Sequence, residues 1–351
     1  MKEKIVYTNE VGATIDRLVE ESGAKSVFTI VDVNTAAFCL PLLRETSKAV
    51  AASTVLTVKA GDAEKSLEAA AALWKSLSNG GATRSSMIVN VGGGVVTDLG
   101  GFVAATFKRG VPYINVPTTL LGAVDAATGG KTGINFNGLK NEVGAFALPA
   151  ATVVSTVFFK TLPEHEMLSG YAEMLKHALL SGNEALARAL SHDAADTDGL
   201  LALLRENIKV KTEIVASDPK EAGPRKALNL GHTAGHAFEA LAMERRQPIP
   251  HGYAVAWGLI VELVLSHLAL GYPTTHLYPV VQFVKAHYGS HPIVCDDYPR
   301  LLALMAHDKK NASPEEINFT LLRAPGEAEV NRTATAKDIE TALDIYRDLT
   351  A

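Results

Sequence analysis

Two histidines, His232 and His236, stand four residues apart in GHTAGHAFEA, residues 231–240. On a helix that spacing stacks both imidazoles on one face, about one turn apart. Imidazoles bind borderline-soft divalent ions, and a catalytic zinc site takes about three protein ligands, often two His and a carboxylate. His251 opens a second helical run, HGYAVAWGL, directly after Pro250, so His232 and His251 can supply imidazoles from two helices. Glu173, in SGYAEMLKHALL, is the candidate interior carboxylate, with Lys176 and His177 at i+3 and i+4. A plainer arrangement fits the same residues: Glu173 paired with Lys176 at a helix surface, and the histidines of 231–240 satisfied in a core. Position 233 is Thr, not the general-base Glu of a metalloprotease HExxH, which disfavours a protease.

A second chemistry is suggested by SSMIVNVGGGVVTDLGG, where Gly92, Gly93 and Gly94 follow a strand-like run and precede a helical pattern. Without Cβ atoms, backbone N–H groups can approach a phosphate closely, and the helix dipole favours its charge. The run is neither GxGxxG nor a Walker A loop, so a tight strand-to-helix turn explains it equally well. Polar residues gather at other connections: Asp32 and Asn34 in VDVN, Asp62 and Lys65 in AGDAEKS. Thr118, Thr119, Asp125, Lys131, Lys140 and Asn141 lie in VPTTLLGAVDAATGGKTGINFNGLKN, which has little apolar periodicity. Ligands of open α/β sheets bind beyond the carboxyl ends of strands, where such segments collect. Lys211, Arg225, Asn229 and the Lys309/Lys310 pair of HDKKN suit a small anion, a phosphate or carboxylate.

The elements that position these groups fall into two halves. KSVFTIVD, STVLTVK and SSMIVNV alternate with Ala-rich helical runs, which predicts an α/β domain with a parallel sheet over 1–160. From Pro163 the pattern is helical, with INFTLLRA as a possible strand, predicting a helical domain over 161–351. The length, 351 residues, suits two domains, and 47% apolar with 20% charged residues is an ordinary globular composition. Thirty-three basic residues against 38 acidic ones give a net charge of -5, so no nucleic-acid footprint is expected. Two cysteines, Cys39 and Cys295, form no CxxC and fit a reducing compartment. Glu262 and His267 interrupt the longest apolar stretch and MKEKIVYTNE has no apolar core, so no membrane association and a cytoplasmic location are expected.

In order, GGGVVTDLGGFVAATFKRG, VPTTLLGAVDAATGGKTGIN, KTLPEHEMLSGYAEMLKHALL, ALNLGHTAGHA and HGYAV resemble the 3-dehydroquinate synthase family, the match running from about Asp32 to Lys310. The resemblance implies an N-terminal NAD-binding domain, an all-helical C-terminal metal-binding domain, one divalent ion (Zn2+ or Co2+) and a homodimer. It implies metal ligation by Glu173, His232 and His251, with His236 facing substrate. For NAD it implies Asp32, Asn34, Asp62, Lys65, Gly93, Gly94, Val95, Asp98, Thr118, Thr119, Thr161 and Glu166. Around the substrate it implies Asp125, Lys131, Lys140, Asn141, Lys176, Lys211, Arg225, Asn229 and Lys309 or Lys310; Asp125, Lys131 and Lys140 also border the cofactor. Arg109 is implied to reach the neighbouring subunit's site.

The implied reaction turns 3-deoxy-D-arabino-heptulosonate 7-phosphate into 3-dehydroquinate by transient oxidation, phosphate elimination, re-reduction and intramolecular aldol closure, a step of aromatic amino acid biosynthesis. Four positions depart from the family's usual pattern: Tyr253 for Glu, Leu139 for Gly, Ala234 for an aromatic residue and Thr97 for Gly. Another sugar phosphate cyclase, making 2-deoxy-scyllo-inosose or 2-epi-5-epi-valiolone, would share NAD, metal and elimination. A polyol dehydrogenase or a non-catalytic relative are further alternatives, which the substrate lysines and the retained metal set disfavour.

Overall fold

Residues Ser86–Gly92 are buried along their whole length, as a strand covered on both faces must be. This is β4. With β1 (Ile5–Tyr7), β2 (Ser26–Asp32), β3 (Thr54–Val58), β5 (Tyr113–Pro117) and β8 (Ala151–Val154) it forms a six-stranded sheet, order β1-β8-β5-β4-β2-β3. Every neighbouring pair is parallel. The computed structural model describes residues 4–137, 139–192, 199–218, 223–306 and 317–351. Lys309 and Lys310 lie outside the described residues. Two compact units result, Met1–Pro163 with Asp196–Ile208, and Glu164–Ala195 with Lys209–Ala351.

In chain order the first helices are α1 (Val11–Ser22), α2 (Val33–Phe38), α3 (Leu40–Thr46), α4 (Lys48–Ala51), α5 (Leu67–Asn79) and α6 (Gly94–Thr106). Alternation along β4 divides the core of the first unit in two. Val89 and Val91 pack with Ile15, Leu18, Leu43 and Val50 on one face, while Ile88 packs with Leu73, Leu77, Leu99 and Val103 on the other. Each such buried side chain contributes about 2 kcal/mol. After β3 the chain returns past β2 to β4 and then continues outward to β5. The connections leaving β2 and β4 therefore diverge from adjacent strand ends, the crevice where open α/β sheets hold ligands.

The polar stretch after β5, expected to be a set of connections, has more structure than its sequence suggested. It opens with a π-helical turn, Gly122–Ala126, and continues as an antiparallel hairpin of β6 (Lys131–Phe136) and β7 (Leu139–Phe146). A buried amide ladder anchors it: Asn90 Nδ2 donates to Asn115 Oδ1 at 3.0 Å, and Asn115 Nδ2 to the Ala127 carbonyl at 3.3 Å.

Further helices are α7 (Glu164–Ser181), α8 (Asn183–Ser191), α9 (Leu200–Ser217), α10 (His232–Glu244), α11 (His251–Leu270), α12 (Thr274–Tyr288), α13 (Tyr298–Ala306) and α14 (Ala336–Thr350). Among the described residues the second unit is helical except for one hairpin, β9 (Ile317–Ala324) with β10 (Glu327–Ala334). INFTLLRA thus forms a strand, and the expectation of an all-helical half needs that amendment. Its most apolar helix, α11, is long and apolar enough to span a membrane, yet 72% of its most apolar window is buried inside the protein. Close packing of α11 rests on two glycines. A Cβ at Gly252 would meet the Ser169 carbonyl of α7 at 2.0 Å, and one at Gly258 would meet the Gly231 carbonyl before α10 at 2.1 Å.

Candidate active site

In the first unit the glycine loop sits where β4 ends, and the register pairs Val91 with Val31 of β2 and Gly92 with Pro117 of β5. Gly93 is the N-cap of α6 and offers no side-chain acceptor, so the first-turn N–H groups of Gly94 and Val95 border the crevice without a side-chain cap. A Cβ at Gly93 would meet Thr119 Cγ2 at 2.9 Å, so a side chain there would have to displace Thr119. Thr97, the departure from the family pattern, tightens this turn: its hydroxyl donates to the carbonyls of Gly93 and Gly94 at 3.3 and 3.2 Å. Thr118 is buried, and the Thr119 hydroxyl accepts the Gly122 N–H at 3.0 Å.

Several of the residues expected around the cofactor meet at one lysine. Lys65 is buried, and its Nζ donates to Asp98 Oδ2 at 3.0 Å and to Asn141 Oδ1 at 2.6 Å, with Asp62 Oδ1 at 3.7 Å. Lys140 Nζ reaches the other Asp62 oxygen at 3.6 Å. Asn141 has φ 52°, a left-handed conformation that Asn tolerates and that aims the side chain back to Lys65. Other expected residues have structural occupations. Asp32 caps α2, its Oδ1 accepting the N–H groups of Asn34 and Thr35 at 2.8 Å each. Thr161 donates to the Phe158 carbonyl at 3.1 Å. Arg109 is exposed at a left-handed turn, φ 66°, at the opposite end of α6 from the glycine loop.

In the second unit α7, α10 and α11 converge on Glu173, which is wholly buried. Lys176 Nζ touches its Oε2, while His232 Nε2 and His251 Nε2 lie 3.3 and 3.7 Å from its Oε1. The expected Glu173–Lys176 pair is therefore formed, but in the interior rather than at a helix surface. One ligand atom from each of Glu173, His232 and His251 lies within 4.8 Å of the others. A tetrahedral zinc site with bonds of about 2.1 Å sets its ligand atoms about 3.4 Å apart, so the observed spacings suit one small divalent ion.

Hydrogen bonds behind the rings settle which nitrogens face Glu173. His232 Nδ1 lies 3.1 Å from the Leu230 carbonyl, which can only accept, so Nδ1 carries the proton and Nε2 a lone pair. Burial and then the Lys176 charge lower the His232 pKa to about 4, so the ring is neutral. Two acceptors, His232 Nε2 and Glu173 Oε1, thus confront each other at 3.3 Å, which is repulsive unless a cation lies between them. His251 Nδ1 is 3.2 Å from Glu239 Oε2. Burial opposes charging of His251, but the nearby carboxylates of Glu173 and Glu239 outweigh it and raise the pKa to about 9. Burial likewise pushes Glu173 up, and the charge of Lys176 more than reverses that, holding its carboxyl well below the usual range.

His236 joins the cluster, its ring centroid 5.3 Å from that of His232 and 5.9 Å from that of His251. Lys211 on α9, Arg225 in a 3-10 turn ahead of α10, and Lys176 are all nearly inaccessible to solvent, far from the solvated lysines and arginines of an ordinary surface. Asn229 ends the same 3-10 turn, and Glu166 is in the first turn of α7. Glu239 was missed, although His232, His236 and Glu239 are spaced i, i+4, i+7 on one helix face. Tyr253, where the family commonly has Glu, packs edge-on against Trp257 and Tyr288 at 5.9 and 5.1 Å. The carboxylate behind His251 comes from α10 instead.

The fold is shared with sugar phosphate cyclases. A 2-deoxy-scyllo-inosose synthase, complexed with carbaglucose-6-phosphate, NAD+ and Co2+, superposes with a TM-score of 0.82 at 20% identity, covering 97% of this chain and 95% of that one. A 2-epi-5-epi-valiolone synthase from Streptomyces hygroscopicus, with NAD+ and Zn2+ bound, gives 0.81 at 23% identity, covering 99% and 97%. The 3-dehydroquinate synthase N-terminal model matches residues 55–169, and the C-terminal model matches 170–311. A 3-dehydroquinate synthase of Parabacteroides distasonis is 45% identical over 349 residues, 99% of this chain and 98% of its own length. The chain belongs to the 3-dehydroquinate synthase family.

Proposed function

We propose that this chain carries out the family's reaction, acting as a carbon–oxygen lyase that releases inorganic phosphate from 3-deoxy-D-arabino-heptulosonate 7-phosphate and closes the carbocycle of 3-dehydroquinate. The observation that carries the reading is the confrontation of His232 Nε2 and His251 Nε2 with one oxygen of a buried Glu173. In this reading Glu173, His232 and His251 hold a divalent ion, Zn2+ or Co2+. NAD lies along the glycine loop with Gly93, Gly94, Val95 and Asp98, bordered by Asp32, Asn34, Asp62, Lys65, Thr118, Thr119, Thr161 and Glu166. When bound, the nicotinamide takes and returns one hydride, and the ion supplies Lewis acidity toward the hydroxyl being oxidised.

The chain's own groups do the rest by holding charge and geometry. Arg225 and Lys211 are cations withdrawn from bulk water, suited to a substrate carboxylate. Lys131 and Lys176 neutralise the phosphate, whose own oxygen takes the proton from carbon as the carbon–oxygen bond breaks. Asp125, Lys140, Asn141, Asn229 and His236 complete the substrate contacts and keep one flexible intermediate oriented through successive steps. We further propose a cytoplasmic homodimer in which the exposed Arg109 serves the neighbouring site. Supplying the heptulosonate phosphate with catalytic NAD and Zn2+ tests the reading. One phosphate per substrate with no accumulating NADH is expected, whereas NADH accumulation with polyols and no phosphate would establish a dehydrogenase instead.

A further inference from the structure

The N-terminus of α10 is capped in an unusual way. Its N-cap, Gly231, has φ 79° and no side chain, and a Cβ there would meet Leu259 at 2.8 Å. An acceptor for the first-turn N–H groups must therefore come from elsewhere. It comes from Glu262 of α11, which is 0% exposed. Glu262 Oε2 accepts the Gly231 N–H at 2.6 Å, and Oε1 accepts those of Thr233 and Ala234 at 2.9 and 3.2 Å. His232 lies between these anchored amides.

One of those amides has a second role. A peptide group is planar and trans, so its N–H and C=O point in opposite directions and turn together. The Leu230–Gly231 peptide gives its N–H to Glu262, while its C=O takes the Nδ1–H of His232 at 3.1 Å. A carboxylate on the N–H side holds that plane and polarises the carbonyl as an acceptor. The carbonyl in turn keeps the proton on Nδ1 and the lone pair of Nε2 toward Glu173. His251, eleven residues before Glu262 on the same helix, has its Nδ1 held directly by Glu239 at 3.2 Å.

We propose that Glu262 is a positioning residue for His232, acting through the Leu230–Gly231 peptide, and that α11 thereby presents one ligand and orients the other. This rests on the reading of Glu173, His232 and His251 as a metal site. The test is Glu262→Gln, which keeps size but turns an amide donor toward backbone donors. With folding confirmed by circular dichroism, Co2+ affinity by chelator competition is expected to fall about 10-fold or more, as for other groups behind metal ligands. The visible Co2+ band should shift while NAD affinity stays at the wild-type value, an outcome that a capping role alone does not produce. Wild-type Co2+ affinity and an unchanged band in folded Glu262→Gln would overturn the proposal. If that variant does not fold, Glu262→Asp is expected to weaken Co2+ in the same direction, and wild-type affinity there overturns it equally. On the unmodified protein, Zn2+ should slow hydrogen exchange at Gly231, Thr233 and Ala234, and unchanged rates would contradict the coupling. Wild-type protein that takes up no Co2+ would refute the metal reading itself, whereas wild-type uptake matched by the variant would refute only the role of Glu262.

Discussion

The glycine loop and the Glu173 cluster prepare for ligands in opposite ways. At the loop, backbone does the work: strand ends, an uncapped helix start and the absence of Cβ atoms leave donors at the rim of a crevice. At Glu173, side chains do it, with a buried carboxylate, lysine and two imidazoles gathered from three helices. A backbone site tolerates many neighbours provided that the chain path is kept. A buried cluster of charges survives only if every member is compensated, because removing one partner leaves its neighbours unpaired away from water. Damage should therefore spread through the cluster and stay local at the loop.

The largest effect is expected from Glu173→Ala, which removes the shared carboxylate and strands Lys176. Phosphate release should fall by roughly 1000-fold or more, and the protein should lose about 3 kcal/mol in denaturant unfolding. Retained phosphate release in a folded Glu173→Ala would break the comparison. Next comes Glu239→Ala, with metal affinity expected about 10- to 100-fold weaker by chelator competition and NAD affinity unchanged. At the loop, Gly93→Val puts atoms where Thr119 already stands, and NAD should bind about 10-fold more weakly while metal affinity holds. Equal losses of both ligands in either variant would show that the two regions are not independent in the way described.

The smallest effect concerns Asp16, whose carboxylate accepts from the Ser47 hydroxyl at 2.6 Å and from the N–H groups of Lys48 and Ala49 at 3.0 and 2.9 Å. Burial pushes its carboxyl up, but these bonds outweigh that and hold it below the ordinary value of 3.8. A depressed folded value stabilises above the unfolded one and loses its contribution as pH falls through the folded value. Asp16→Asn should thus cost about 1 kcal/mol at pH 7, with the deficit shrinking below the ordinary aspartate value. A deficit that stays constant into acid would show that charge plays no part.

What could be read beforehand follows from the kind of signal each region carries. β2 and β4 were legible because strands buried on both faces read as apolar runs, the edge strand β3 because of its short β-branched run, and α11 because its apolar length is unmistakable. The β6–β7 hairpin was not, since its residues show little apolar periodicity, and β1 has only three residues. The helical pattern after Pro163 gives no sign of a break before His232, yet Gly231 at φ 79° separates the 3-10 turn Pro224–Asn229 from α10 and sets His232 at a helix start. Glu173, His232 and His251 could be picked out by residue type. Glu239 and Glu262 could not, because a carboxylate that serves a ligand from behind looks like any helical glutamate until the packing partner is known. Asp32 shows a role that its strand-end position did not announce: its Oδ1 caps α2.

The most direct test of the central claim is a crystal of this protein grown with zinc and measured at the zinc absorption edge. One anomalous peak per chain is predicted, about 2.0–2.2 Å from Glu173 Oε1, His232 Nε2 and His251 Nε2 together. A peak bound elsewhere, or a map at full zinc saturation with no peak among those three atoms, would contradict it.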